Sequence, residues 1–376
     1  MGLSGSTEGG HLTPADIEPL ARGCAILGAG GGGEVMAGIS AATEAIRDFG
    51  PVPLVPLADV PGDGLVMPLA EIGAPTLPGT PTTGGLEGGA DPVLVRDEVE
   101  RVLGRPVTAV MPSEIGGSNG VLPVAWAARL GLPLIDADAM GRAFPEAQMV
   151  SFHVANRPVT VAVLADARGN IATVRPVDGP WSERIARAVC VAMGSSALMA
   201  DYVMPAARVR GAVIEGSVTR ALAIGHATGR AAATAADPVA ALQRMLGATR
   251  LIIGRVVDLD RHTGGGFVGG GLTIDGVDVD EGRLLRVELR NENLVAFEDD
   301  EVRAVVPDLI TIVDTLTATA ISVESLRHGQ RVCVLGWPCD PLWRTEHGLA
   351  VAGPRAFGYD LDYVPVEEIP PPRQRP

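Results

Sequence analysis

The 376-residue chain contains no lysine; all 30 of its basic residues are arginine. That absence excludes a Schiff-base lysine, a catalytic lysine base and a phosphate-loop lysine. Pyridoxal phosphate enzymes, class I aldolases and Walker-type ATPases are excluded with them. Cysteine is scarce: Cys24, Cys190, Cys333 and Cys339 are the four present, and no CxxC occurs. A zinc ribbon and a thioredoxin motif are therefore ruled out, and the scatter suits a reducing compartment. Positive charge is in deficit, with 45 acids giving a net charge of −15. Such a surface repels phosphate backbones and anionic membranes, so neither nucleic acid nor membrane is expected as a partner. No run of about 18 apolar residues is available to span a bilayer. The opening MGLSGSTEGGHLTPAD has neither a basic n-region nor an apolar h-region, so it does not read as a signal peptide and a cytoplasmic protein is expected.

What is present is glycine and proline, 48 and 30 residues, in a chain long enough for two or three domains. Thr13 followed by Pro14 reads as a cap and first helical position. The helix runs to Leu27 with Ile17, Leu20, Cys24 and Leu27 on one face. After the glycine run Gly28–Gly33, a second helix spans Glu34 to Asp48. Strands at Leu65–Leu69, Thr108–Met111 and Leu132–Ile135 then alternate with helices at Val93–Leu103 and Leu122–Leu130, the pattern of an α/β layer. Strands are predicted at Val150–Val154, Val159–Leu164 and Ile171–Val174. Helices follow at Ser182–Met193, Val218–Ala236 and from Pro238 to Gly247. From Arg250 onward seven strand candidates run to Leu335, with Asp275-Gly276 read as a hairpin turn. The sequence thus predicts an N-terminal α/β domain over 12–175, a C-terminal α+β region over 176–366 ending in a β-rich module, and a disordered tail over 367–376. The alanine-rich helix Val218–Ala236 is either a dimer contact or core; a homo-oligomer is expected.

Three constellations carry chemistry. Gly28, Gly30 and Gly33 match G-x-G-x-x-G, but a helix precedes them and no acid follows at the Rossmann spacing. The run reads better as a backbone nest for an anion, with Gly30, Gly31, Gly32 and Gly33 as substrate-binding candidates. The second is Pro112 to Gly120, after an apolar strand: Glu114 stands at the strand's carboxyl end, where open α/β sheets bind ligands. Gly116 and Gly117 permit close approach, and Asn119 is either a cap or a ligand. Glu71 follows another such strand. The third is Leu134 to Glu146: Asp136 and Asp138 at strand spacing, then Arg142 and Glu146. Close carboxylates suit acid–base work or a divalent metal, for which Asp138 and His153 are candidate ligands. Arg142 would stabilise negative charge or hold a substrate carboxylate. Arg261 to Phe267 reads as a loop that closes over a site, and Asn291-Glu292-Asn293 as polar turn residues.

Taken together, Leu27–Gly33, Glu71–Thr76, Glu114–Asn119, Asp136–Glu146, Asn291–Leu294, Val306–Ile310 and Gly353–Tyr359 resemble the S-methyl thiohydantoin desulfurase-like family, once a domain of unknown function associated with hydantoinases. Ala139 stands where that family has glycine. The resemblance spans about 16–363. It implies a two-part fold whose C-terminal domain includes a swivelling-type β module. It also implies hydrolytic removal of sulfur from a 2-thiohydantoin or its S-methyl derivative, with a hydantoinase as possible partner. The catalytic candidates are then Asp136, Asp138, Arg142, Glu146 and Glu114, with or without a divalent metal. Two other readings stay open: a non-catalytic partner subunit of a hydantoinase, and a nucleotide-dependent enzyme using the Gly28–Gly33 loop.

Overall fold

The computed structural model describes residues 10–73, 90–234, 237–264 and 267–370. The chain opens with β1 (His11–Leu12), α1 (Pro14–Leu27), α2 (Val35–Phe49), β2 (Val52–Val55), β3 (Leu65–Gly73), α3 (Pro92–Leu103), β4 (Val107–Pro112), α4 (Leu122–Leu130), β5 (Leu134–Ile135) and β6 (Ala137–Asp138). Then come α5 (Ser151–Val154), β7 (Ala162–Ala165), β8 (Ile171–Val174), α6 (Gly179–Ala192), β9 (Ser196–Ala200), β10 (Met204–Pro205), α7 (Ala206–Val209), β11 (Ile214–Glu215), α8 (Ser217–Thr234) and α9 (Pro238–Leu246). The β-rich part comprises β12 (Thr249–Gly264), β13 (Phe267–Gly276), β14 (Leu284–Arg290), β15 (Glu292–Glu298), β16 (Glu301–Val305), β17 (Leu309–Asp314) and β18 (Arg331–Trp337), before α10 (Glu346–Ala352).

A mixed sheet of nine strands, ordered β1-β2-β5-β4-β3-β9-β7-β8 with β10 against β3, forms the first layer. β2, β5, β4 and β3 run parallel, and β9 lies antiparallel between β3 and β7. The chain therefore passes Pro176 and returns to the same sheet. The expected face of α1 is buried through Ile17, Leu20, Cys24 and Leu27. Its start is fixed by Asp16, whose carboxylate accepts from the Thr13 N–H at 2.9 Å and hydroxyl at 2.7 Å. The alanine-rich α8 packs its small face on α1: a Cβ on Gly23 would lie 1.8 Å from the Ala221 carbonyl oxygen. That face is core within the chain, so it is not available as a dimer contact.

The second sheet has seven strands in the order β16-β15-β14-β13-β12-β18-β17, all antiparallel. It curls enough for β15 to touch β17. One face buries Leu251, Ile252, Val287 and Val334, while Leu294, Val305 and Leu309 join the core of the first layer.

Several expectations are corrected. Val150–Val154 is not a strand; Ser151–Val154 is one turn of helix, and the following strand begins only at Ala162. Asp275-Gly276 is no hairpin turn: both pair with β12, and the reversal falls over 277–283. The segment from Arg261 is not a loop, because β12 continues to Gly264 and β13 starts at Phe267; residues 265–266 lie outside the described residues. Helix α6 starts at Gly179, because Asp178 accepts from the Trp181 N–H. Residues 371–376 of the tail, and Ala74-Pro75-Thr76, lie outside the described residues. Within the tail, Glu367 is ion-paired with Arg344. No helix among the described residues is long and apolar enough to cross a membrane.

Candidate active site

At the carboxyl ends of β3 and β4, where the start of β9 meets residues from the second sheet, lies a cleft of about 210 Å³. This is where an open α/β sheet places its ligand. Glu71, Glu114, Asp201, Glu292 and Glu324 line it, with Arg187 as the cation among the described lining residues. Gly32, Gly33, Ser113, Ser118 and Asn119 complete the nearer wall.

Glu114 follows β4 after Ser113 and is 6% exposed. Its Oε1 accepts from Asn119 Nδ2 at 2.5 Å, and Oε2 has no partner among the described residues. Burial raises its pKa to about 8, against the hydrogen bonds from Asn119 and the Phe144 backbone; Asp138 adds to the rise and Arg142 opposes it. A group so shifted stays mostly protonated near neutrality. Glu292 opens β15 and is 2% exposed. Its Oε2 also has no partner, and burial followed by the charge of Glu114 raises its pKa well above the usual range. Burial likewise raises Glu71, Asp201 and Glu324 to about 7 each, with Glu183 adding to Asp201 and Glu34 to Glu324.

The glycines act as spacers. A Cβ on Gly31 would lie 2.1 Å from Glu292 Oε1, and one on Gly32 2.2 Å from the Gly116 carbonyl oxygen. The two glycine loops pack back to back, and only side-chain-free residues allow it. The carbonyls of Ala29, Gly30, Gly32 and Gly33 accept from the amides of Asn293, Val323, Asn119 and Ser118. Gly32 and Gly33 border the cleft, whereas Gly30, Gly31, Gly116 and Gly117 stand behind it. A helix, not a strand, precedes the run, and carboxyls face it. The arrangement gives a nucleotide pyrophosphate no support.

Asn119 lines the cleft, but its amide is occupied by protein. Oδ1 accepts from the Glu71 N–H at 2.8 Å, and Nδ2 donates to the Glu71 carbonyl at 3.1 Å as well as to Glu114. It holds β3 and Glu114 in register.

The acidic segment is placed otherwise than its spacing suggests. Asp136 caps α8, accepting from the Thr219 N–H at 3.0 Å and hydroxyl at 2.6 Å. Asp138 is fully buried; its Oδ2 accepts from the amides of Ile115, Met140 and Gly141 at 2.7–2.9 Å. Burial raises its pKa to about 7 despite those bonds. Arg142 is also fully buried and does not reach the cleft. Its Nη1 donates to the Pro307 and Asp308 carbonyls, Nε to that of Ala143, and its guanidinium stacks 4.5 Å from the Phe144 ring centroid. Trp343 adds a bond to the Met140 carbonyl at 2.7 Å. The segment thus ties the two sheets together behind Glu114. Glu146 is ion-paired with Arg290 beside the cleft. His153 sits on α5 with its ring 6.3 Å from that of His347, and burial lowers its pKa.

Neither Asp138, with one oxygen occupied by three amides, nor His153 belongs to a metal-type cluster. Among the described residues no group of three or more His, Cys, Asp or Glu is arranged to hold a metal ion.

Arg187 of α6 was not anticipated. It grips Glu183 through Nε at 2.7 Å and Nη2 at 3.1 Å, and donates to the Gly73 and Pro145 carbonyls. The Phe267 ring lies 4.7 Å from its guanidinium. Those bonds engage four of its five donors. Asp201 was also missed, although it follows the apolar β9 as Glu114 follows β4. Glu292 was read as a turn residue; its role depends on a contact across the chain.

A carboxyl-rich cleft beyond the ends of parallel strands, bordered by residues of a second sheet, makes this an α/β protein with a candidate ligand site. The chain belongs to the S-Me-THD-like family: the family's N-terminal domain matches residues 15–176 and its C-terminal domain residues 177–366. The fold is similar to the crystal structure of a protein from Chromobacterium violaceum, with a TM-score of 0.73 and 24% identity over 95% of this chain and 99% of that one. A comparison with curated proteins gave no match.

Proposed function

We propose that this protein is a hydrolase that removes sulfur from a 2-thiohydantoin or S-methyl thiohydantoin, or acts on a related hydantoin-type ring. Family membership supports a role in thiohydantoin metabolism. The observation that carries the chemistry is Glu114: a buried carboxyl bordering the cleft, one oxygen without a partner, its pKa raised to about 8. Hydrolysis at C2 needs a proton for the ring nitrogen and one for the departing sulfur. A carboxyl that is still protonated near neutrality supplies the first and, reprotonated from the attacking water, the second. The cleft suits a small ring, being smaller than the ~300 Å³ at which drug-sized pockets begin. Arg187 offers its remaining donor to a carbonyl or an anionic substituent of the ring. The test is release of sulfide or methanethiol from a panel of thiohydantoins and S-methyl thiohydantoins by the purified protein. Release supports the reading; none from any member sinks it, and favours another cyclic amide or a non-catalytic hydantoinase subunit.

A further inference from the structure

We infer that Glu114 and Glu292, one from each half of the chain, form a single catalytic dyad that shares one proton. The inference rests on the hydrolytic reading above and deepens it by assigning the base. Both side chains line the same cleft, both are more than nine-tenths buried, and each keeps Oε2 without a hydrogen-bond partner. Neither has an ion-pair partner among the described residues. Glu292 is brought in by built features: Gly31 has no side chain where the carboxyl sits, and the Asn293 N–H is bonded to the Ala29 carbonyl at 2.9 Å. Glu114 is held from the other side by Asn119.

Electrostatics support the sharing. The charge of Glu114 raises the pKa of Glu292, and because such coupling is mutual, ionising one keeps the other protonated. The other charged groups acting on them are Asp138 and Arg142 on Glu114, and Arg142 and Arg290 on Glu292. Glu71, Asp201, Glu324 and Arg187 face the same cleft.

For an S-methyl thiohydantoin, the ionised member takes a proton from water as the water oxygen bonds to C2. The C2=N electron pair moves to nitrogen, which takes the proton of the other member. In the second step the C2–S bond breaks and the new hydroxyl gives its proton to the member now ionised. The carbonyl forms, and sulfur leaves as methanethiol with the other member's proton. The dyad begins and ends with one proton, and one water is consumed.

The test uses the full chain with Glu114→Gln, Glu292→Gln and the double variant. Two readouts are taken: thiol release against pH, and the titration of labelled glutamate carboxyl carbons by NMR without substrate. The dyad predicts that each single variant loses at least ~10²-fold in rate, and that the double variant loses little more than either. It also predicts that Glu292→Gln moves the Glu114 titration to lower pH. An unmoved Glu114 titration in folded Glu292→Gln overturns the dyad, whatever the turnover result. So does a Glu292→Gln rate equal to the parent's. A shifted titration in a protein that releases no thiol from any substrate supports the shared proton and overturns only the reaction.

Discussion

Glu114 keeps its proton because the folded chain offers its carboxylate too little: one amide side chain, one backbone N–H, and no cation in contact. Its chemistry as an acid has a direct consequence. Activity should fall as pH rises beyond about 8, once the pair it forms with Glu292 has lost its last proton. A pH–rate profile with thiol release as readout checks this; a rate flat to pH 10 would remove Glu114 from the acid role. Arg142 makes a different prediction. Because it binds backbone carbonyls of the second sheet and not the cleft, Arg142→Lys should chiefly lower stability. Lysine cannot reproduce a planar, stacked, multidentate contact. Denaturant unfolding should show a clear loss, and substrate KM should change little in the fraction that remains folded.

At the scale of elements, the sequence was most readable where local rules decide. The alternation of strand and helix through α4, the capped start of α1 and the β-rich C-terminal part follow from periodicity, caps and turn residues. Glu114 was legible for the same reason: an acid placed just after an apolar strand. The acidic segment 136–146 was legible as important and misread in detail. Spacing suggests that Asp136 and Asp138 share a strand, but Asp136 falls between β5 and β6, and Thr219, 83 residues away, turns it into a cap. Asp136→Ala should therefore cost about 1 kcal/mol of stability, as loss of an N-cap does, with the rate of the folded protein retained; a thermal melt paired with the thiol assay checks both. The glycine loop gives the converse test. Gly31→Ala drives a Cβ into Glu292 Oε1. It should lower the rate at least ~10-fold if the carboxyl is a member of the catalytic dyad, while circular dichroism stays that of the parent. An unchanged rate would show that the position of Glu292 is immaterial.

For the whole molecule, the site exists only because the second sheet closes on the first. Glu292 and Glu324 come from one, Glu71, Glu114 and Asp201 from the other, and no local pattern brings them together. Six buried or part-buried carboxyls, these five and Asp138, have raised pKa values and also shape stability. Each binds its proton more tightly folded than unfolded, so their contribution is full below about pH 4 and is lost as pH rises through 7 to 8. Urea midpoints should accordingly be higher at pH 5.5 than at pH 8.5; the opposite order would mean that these groups are ionised in the folded protein.

The central claim is that a protonated carboxyl in this cleft drives loss of sulfur from a hydantoin-type ring. The most direct measurement is methanethiol release from S-methyl thiohydantoins at pH 7 by the parent and by folded Glu114→Gln. Steady release by the parent, reduced at least ~10²-fold in the variant, is what the account predicts. Equal release by both proteins, or none by the parent, would contradict it.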